Sequence, residues 1–161
     1  MRTSDQPAVR ETVERMDAAW DEFRRRVHAL PRERLENPVA QGEWTRKQML
    51  GHVWTWHDLT TDRLAIFLES GAPNGAEEDA DVVNERAARG AGGRTTGEIL
   101  GELDDSFRRL RREVLRLTDE QLLGDDGWAA AIIAGNSYGH YEEHLADLAV
   151  RRRPRPCARG P

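Results

Sequence analysis

A chain of 161 residues with a formal net charge of −5 has room for one domain and little beyond a tail. An isoelectric point near 5.6 without a dominant basic face excludes a nucleic-acid binder. No apolar run reaches the roughly 20 residues that span a bilayer, which argues against a membrane protein. Leu, Val, Ile and Phe supply 31 residues, about 19%, near the level where disorder competes with folding. The charges, however, are mixed in sign and fall at helical intervals, and five Trp add apolar area outside that count. A small, well-solvated domain with a thin core follows.

The opening residues Met1-Arg2-Thr3-Ser4-Asp5-Gln6 lack the apolar core of a secretory signal. Cys157, the only cysteine, has no internal partner. Both features lead us to expect residence in the reducing cytoplasm. Arginine outnumbers lysine 23 to 1, with Lys47 the exception, a compositional bias more than a phosphate-binding design.

In chain order, Val9, Val13, Met16, Trp20, Phe23, Val27 and Leu30 recur every three or four residues and predict a first helix that Pro31 stops. A loop through Pro38 and Gly42 leads to Trp44, and Thr45 is a good N-cap for a second helix. Its stripe runs through Met49, His52, Val53, Trp56, Leu59, Arg63, Ile66 and Phe67, and Gly71 closes it in a left-handed conformation. Residues 71–97 read as a long connection holding one short helix around Val82 to Ala88. Thr95 and Glu98 form a capping-box pattern for a third helix through Leu100, Leu103, Phe107, Leu110, Val114 and Leu117. Thr118 to Gln121 repeats the box before a short turn at Leu122 and Leu123. After Gly127 and Trp128, a last helix aligns Ile133, Ser137, His140, Tyr141, His144, Leu145 and Leu148. No strand-like alternation and no repeat interrupts this pattern. The expected fold is all-α: a four-helix bundle over residues 1–150, with one connection crossing it, and a disordered Arg/Pro-rich tail over 151–161.

Chemistry concentrates in the histidines. His140 and His144 stand four apart, one turn above the other on one helix face, a spacing at which two imidazoles reach one metal. His52 lies mid-stripe on the second helix, and three nitrogens converge if the second and fourth helices face each other. Three neutral imidazoles with an open position suit a catalytic metal, zinc first, with nickel, iron and manganese as other candidates. Glu142 or Glu143 would support the ligands or accept a proton. The plainer reading makes these histidines hydrogen-bonded residues at a bundle end. His57 points elsewhere and, like His28, is expected at the surface or in a cap.

The segment Gly42-Glu43-Trp44-Thr45-Arg46-Lys47-Gln48-Met49-Leu50-Gly51-His52 resembles the entry to the second helix of DinB-like proteins. Asn136-Ser137-Tyr138-Gly139-His140-Tyr141-Glu142-Glu143-His144 resembles their fourth-helix signature. The superfamily includes mycothiol-dependent maleylpyruvate isomerase N-terminal domains, bacillithiol transferases and the ClbS/DfsB group. The resemblance spans about residues 8 to 150. It implies a DinB-like bundle in which His52, His140 and His144 hold a divalent metal, and homodimers, which are common among such folds.

Around such a metal, Trp56 (with Trp54) would wall a pocket. Asn84, Arg86 and Arg89 would bind an anionic substrate or thiol, and Tyr138 or Tyr141 would donate to a developing oxyanion, with Glu143 as the proton acceptor. Each has a commoner structural role: core packing for the tryptophans and a solvated charge run for the arginines. Cys157 is a poor nucleophile, having no base beside it. The expected activity is metal-dependent transfer of a low-molecular-weight, mycothiol-type thiol to a small electrophile, or thiol-assisted isomerisation. The alternatives are a metal-dependent hydrolase or ClbS-like protective enzyme, and a non-enzymatic dimer that sequesters an apolar ligand.

Overall fold

A computed structural model describes residues 5–38, 44–75 and 78–149. Gly42 and Glu43 of the helix-entry motif, and the tail from Val150 onward with Cys157, lie outside them. Helix α1 (Pro7–Ala29) buries Val9, Val13, Met16, Trp20, Phe23 and Val27, so the three-four spacing becomes one core-facing stripe. Pro7 at its start has no amide to satisfy. The next two amides, of Ala8 and Val9, donate to the Asp119 carboxylate at 3.0 and 2.9 Å. Beyond Pro31 a single turn, α2 (Arg32–Leu35), replaces the expected loop because Leu35 is buried there.

Helix α3 (Arg46–Ser70) begins on a full capping box. The Thr45 hydroxyl accepts from the Gln48 amide, and the Gln48 side chain accepts from the Thr45 amide. Gly71 ends it at φ 72°, where a Cβ would be strained. The connection that follows is more regular than its composition suggests. Asp79 caps α4 (Ala80–Gly92), a longer helix than the expected Val82–Ala88, which docks on α3 where Gly51 meets Ala91. Thr95 caps α5 (Thr96–Val114), and Leu117 is buried just past its end. The second box, at Thr118 and Gln121, opens α6 (Asp119–Leu123).

The last helix is not continuous. A 3-10 turn at Asp125–Gly127 leads into α7 (Trp128–Asn136), and Ser137 leaves helical geometry (φ −129°, ψ −108°) before α8 (Tyr138–Leu148) starts. Ile66, expected on the buried stripe of α3, is 49% exposed.

Contacts along the helices set their directions. Asp17 pairs with Arg111 and Arg24 with Asp104, so α1 and α5 are antiparallel. Lys47 reaches the Arg94 carbonyl and His57 reaches Ser106, so α3 and α5 run parallel. Two successive long helices run parallel only if the chain between them crosses the bundle, which the segment carrying α4 does. With α7 and α8 as the fourth member, the described residues form an all-α four-helix bundle. No described helix is long and apolar enough to cross a membrane.

Candidate metal centre

The centre lies between α3 and α8. Arg46 bonds the carbonyls of Asp147 and Ala149, His52 meets His140 and His144, and His57 meets Tyr141, so the two helices are antiparallel. The Nε2 atoms of His52 and His140 are 2.8 Å apart, and those of His140 and His144 are 3.1 Å apart. His52 and His140 are buried, while the His144 side chain is 19% exposed. The expected convergence is therefore present: one ligand atom from each residue lies within 4.8 Å of the others.

Burial keeps His52 and His140 neutral. Burial, then the neighbouring His144, pushes the pKa of His52 down to about 4, and Asn84 beside it acts weakly in the opposite direction. Burial, followed by His52, His144 and His57, pushes His140 down to about 3. Neutral imidazoles present lone pairs, the form in which histidine binds a metal.

The donor set fits a divalent ion. Nδ1 of His144 lies 2.8 Å from the Asp147 carboxylate, which accepts its N–H and leaves Nε2 as the nitrogen that faces the cluster. No partner bonds Nδ1 of His52 or His140, so what meets their Nε2 atoms sets those tautomers. Hydrogen bonds alone serve such a meeting poorly, because Nε2 of His140 has at most one proton to share between two neighbours. Nitrogens around a tetrahedral zinc ion lie about 3.3 Å apart, so small ring movements suffice to admit one.

Aromatic rings flank the cluster. The Trp44 ring lies 5.3 Å from the His52 ring and Trp56 6.5 Å from it. The Trp56 indole donates to Asn84 Oδ1 at 2.7 Å, tying α4 to this side of α3. Beyond Trp56 a cleft of about 360 Å³ follows α3, lined among others by Leu59, Arg63, Ile66, Asn74 and Val83. That volume is within the range of small-molecule pockets.

The structure brings Trp56 and Asn84 to the histidines but not the other expected residues. Glu142 and Glu143 are exposed, and Asp147 is the carboxylate that bonds His144. Neighbours in sequence lie about 100° apart around a helix, whereas residues three apart share a face, so the i+3 spacing was the signal for Asp147. Arg86 and Arg89 are committed to Glu78 and Glu85 at the surface. Tyr138 lies beneath the Arg15 guanidinium on the α1 side, and Tyr141 is buried against His57. Trp54 is half-buried and donates to Asp58. His28 is exposed, as expected. His57 is not: it is fully buried, because α3 has neighbours on several sides and a residue off its main stripe still faces protein.

No curated protein and no solved structure matches the chain. The family model of the DinB superfamily matches residues 15–148, a span that contains all three histidines of the cluster and the helices that carry them. On that match, which covers well over half of its length, the chain belongs to the DinB superfamily.

Proposed function

We propose that this protein is a metal-dependent enzyme that transfers a small thiol to an organic electrophile, with a divalent ion, zinc foremost, held by His52, His140 and His144. The observation that carries the reading is the convergence of three imidazole nitrogens from two antiparallel helices. An ion bound there supplies Lewis acidity, bringing the ionisation of a bound thiol or water toward neutral pH.

The protein's own residues hold and shield that site. Asp147 accepts the Nδ1–H of His144 and leaves Nε2 facing the cluster. Trp44 and Trp56 restrict solvent around His52, and Asn84 fixes the Trp56 indole. We assign the cleft beyond Trp56 to the apolar body of the substrate. The family resemblance supports a thiol of the mycothiol type, and a chain with one cysteine suits a reducing compartment where such thiols persist.

Elemental analysis of protein purified without chelators tests the reading. One divalent ion per chain is expected, and none in the His144→Ala variant. Wild-type protein that stays empty after incubation with zinc, nickel and manganese in turn would overturn it. Consumption of a model electrophile should then require added thiol. Turnover without thiol would assign hydrolysis instead.

A further inference from the structure

Helix α8 is 11 residues long and starts after Ser137 leaves helical geometry, so it is a helical segment separate from α7. A one-residue rotation is about 100°, enough to turn His140 and His144 away from His52. Groups on either side of His52 along α3 reach α8. On one side Arg46, itself buried, donates from Nε to the Asp147 carbonyl at 2.8 Å and from Nη2 to the Ala149 carbonyl at 3.3 Å. Its guanidinium thereby caps carbonyls that the helix end leaves free.

On the other side a hydrogen-bonded chain crosses three helices. The Ser106 hydroxyl on α5 donates to the Leu103 carbonyl at 2.9 Å, so its oxygen accepts from His57 Nδ1 at 2.8 Å. His57 Nε2 then accepts the Tyr141 hydroxyl at 2.6 Å. Tyr141, His57 and Ser106 are all at most 1% exposed. The chain is directional and fully paired, and its last member is next in sequence to His140.

We infer that Arg46 and the His57–Tyr141 pair are positioning residues, a bracket that sets the rotation of α8 and aims His140 and His144 at His52 before any ion arrives. The purpose of the bracket rests on the metal-binding reading above; its existence does not.

Tyr141→Phe removes one hydroxyl from the chain, and Ser106→Ala removes the acceptor two links away. Val13→Ala, a core truncation in α1, controls for lost stability. In zinc titrations Tyr141→Phe should bind about tenfold more weakly or worse, and Ser106→Ala should shift the same way. Val13→Ala should bind as the wild type does despite a lower melting temperature. Unchanged affinity in Tyr141→Phe, or an equal loss in Val13→Ala, overturns the proposal.

A second measurement needs no metal. Nuclear Overhauser contacts between the His52 and His140 rings should be present in the metal-free wild type and weakened in Tyr141→Phe. Contacts retained at full strength in that variant overturn the bracket even if the wild type takes no ion, an outcome that would defeat the metal reading alone.

Discussion

The Asp147 carboxylate lies 2.8 Å from Nδ1 of His144, one turn further along the same helix. The pair fixes which nitrogen of His144 is protonated and therefore which one meets the cluster. Replacing Asp147 with Asn keeps the size but removes the charge, and the new amide can offer an N–H where an acceptor is needed. Asp147→Asn should weaken zinc binding about 10–100-fold, measured by competition with a chelating dye, with an unchanged helical circular dichroism spectrum. Wild-type affinity would show that the contact plays no part.

Binding at the centre should also appear as stability. An ion that binds only the folded chain adds about 2.7 kcal/mol at a free concentration 100 times its dissociation constant. Thermal melts with and without zinc should show this gain in the wild type and none in His140→Ala. A gain that survives the substitution would place the ion elsewhere.

Acid should destabilise the metal-free protein. Burial, then the Arg109 charge on α5, pushes the pKa of His57 down to about 3, while an unfolded histidine titrates near 6.5. Between those values the unfolded chain binds a proton that the folded chain refuses, so stability present above about pH 6.5 is lost as pH falls toward 3. His52 and His140, lowered to about 4 and 3, act in the same direction. Urea unfolding of metal-free protein should have a lower midpoint at pH 5 than at pH 7, and His57→Phe should reduce the difference. Equal midpoints would show that these rings are not held neutral.

Asp119 links the start of α6 to the start of α1 by accepting from the Ala8 and Val9 amides. It caps α1 from α6 and places a negative charge where the helix dipole favours one. Asp119→Ala should cost about 1–2 kcal/mol in chemical denaturation. No loss would mean that water replaces the carboxylate without penalty.

A Cβ built on Gly51 would overlap the Ala91 Cβ, so α3 and α4 touch there. Gly51→Ala should destabilise by about 1–3 kcal/mol. The compensating Ala91→Gly change in the same chain should recover most of it. Failure of the second change to rescue would show that the contact is not what limits the position.

Much of this molecule is local in origin. Thr45, Thr95 and Thr118 mark helix starts and Gly71 a helix end, because capping depends on residues within one turn. The stripe on α1 and the four-residue spacing of His140 and His144 are likewise periodicities of a single helix. Their convergence with His52 was foreseeable only as a condition on how two helices face each other, a condition the fold meets.

Periodicity identifies a face but not what lies opposite it, and this is where the linear reading stopped. It placed His57 at the surface or in a cap, where the bundle buries it between α5 and α8. It assigned Glu143 and Tyr138 to the chemistry, where packing brings Asp147 to His144 and turns Tyr138 toward Arg15. It ran the last helix straight through Ser137, where the chain leaves helical geometry and Arg46 and His57 hydrogen-bond to the segment that follows. Helix boundaries and ligand spacing follow from the order of residues, since both are settled within a few positions of the backbone. The partner of each buried polar group depends on which helices lie side by side, and only the assembled bundle decides that.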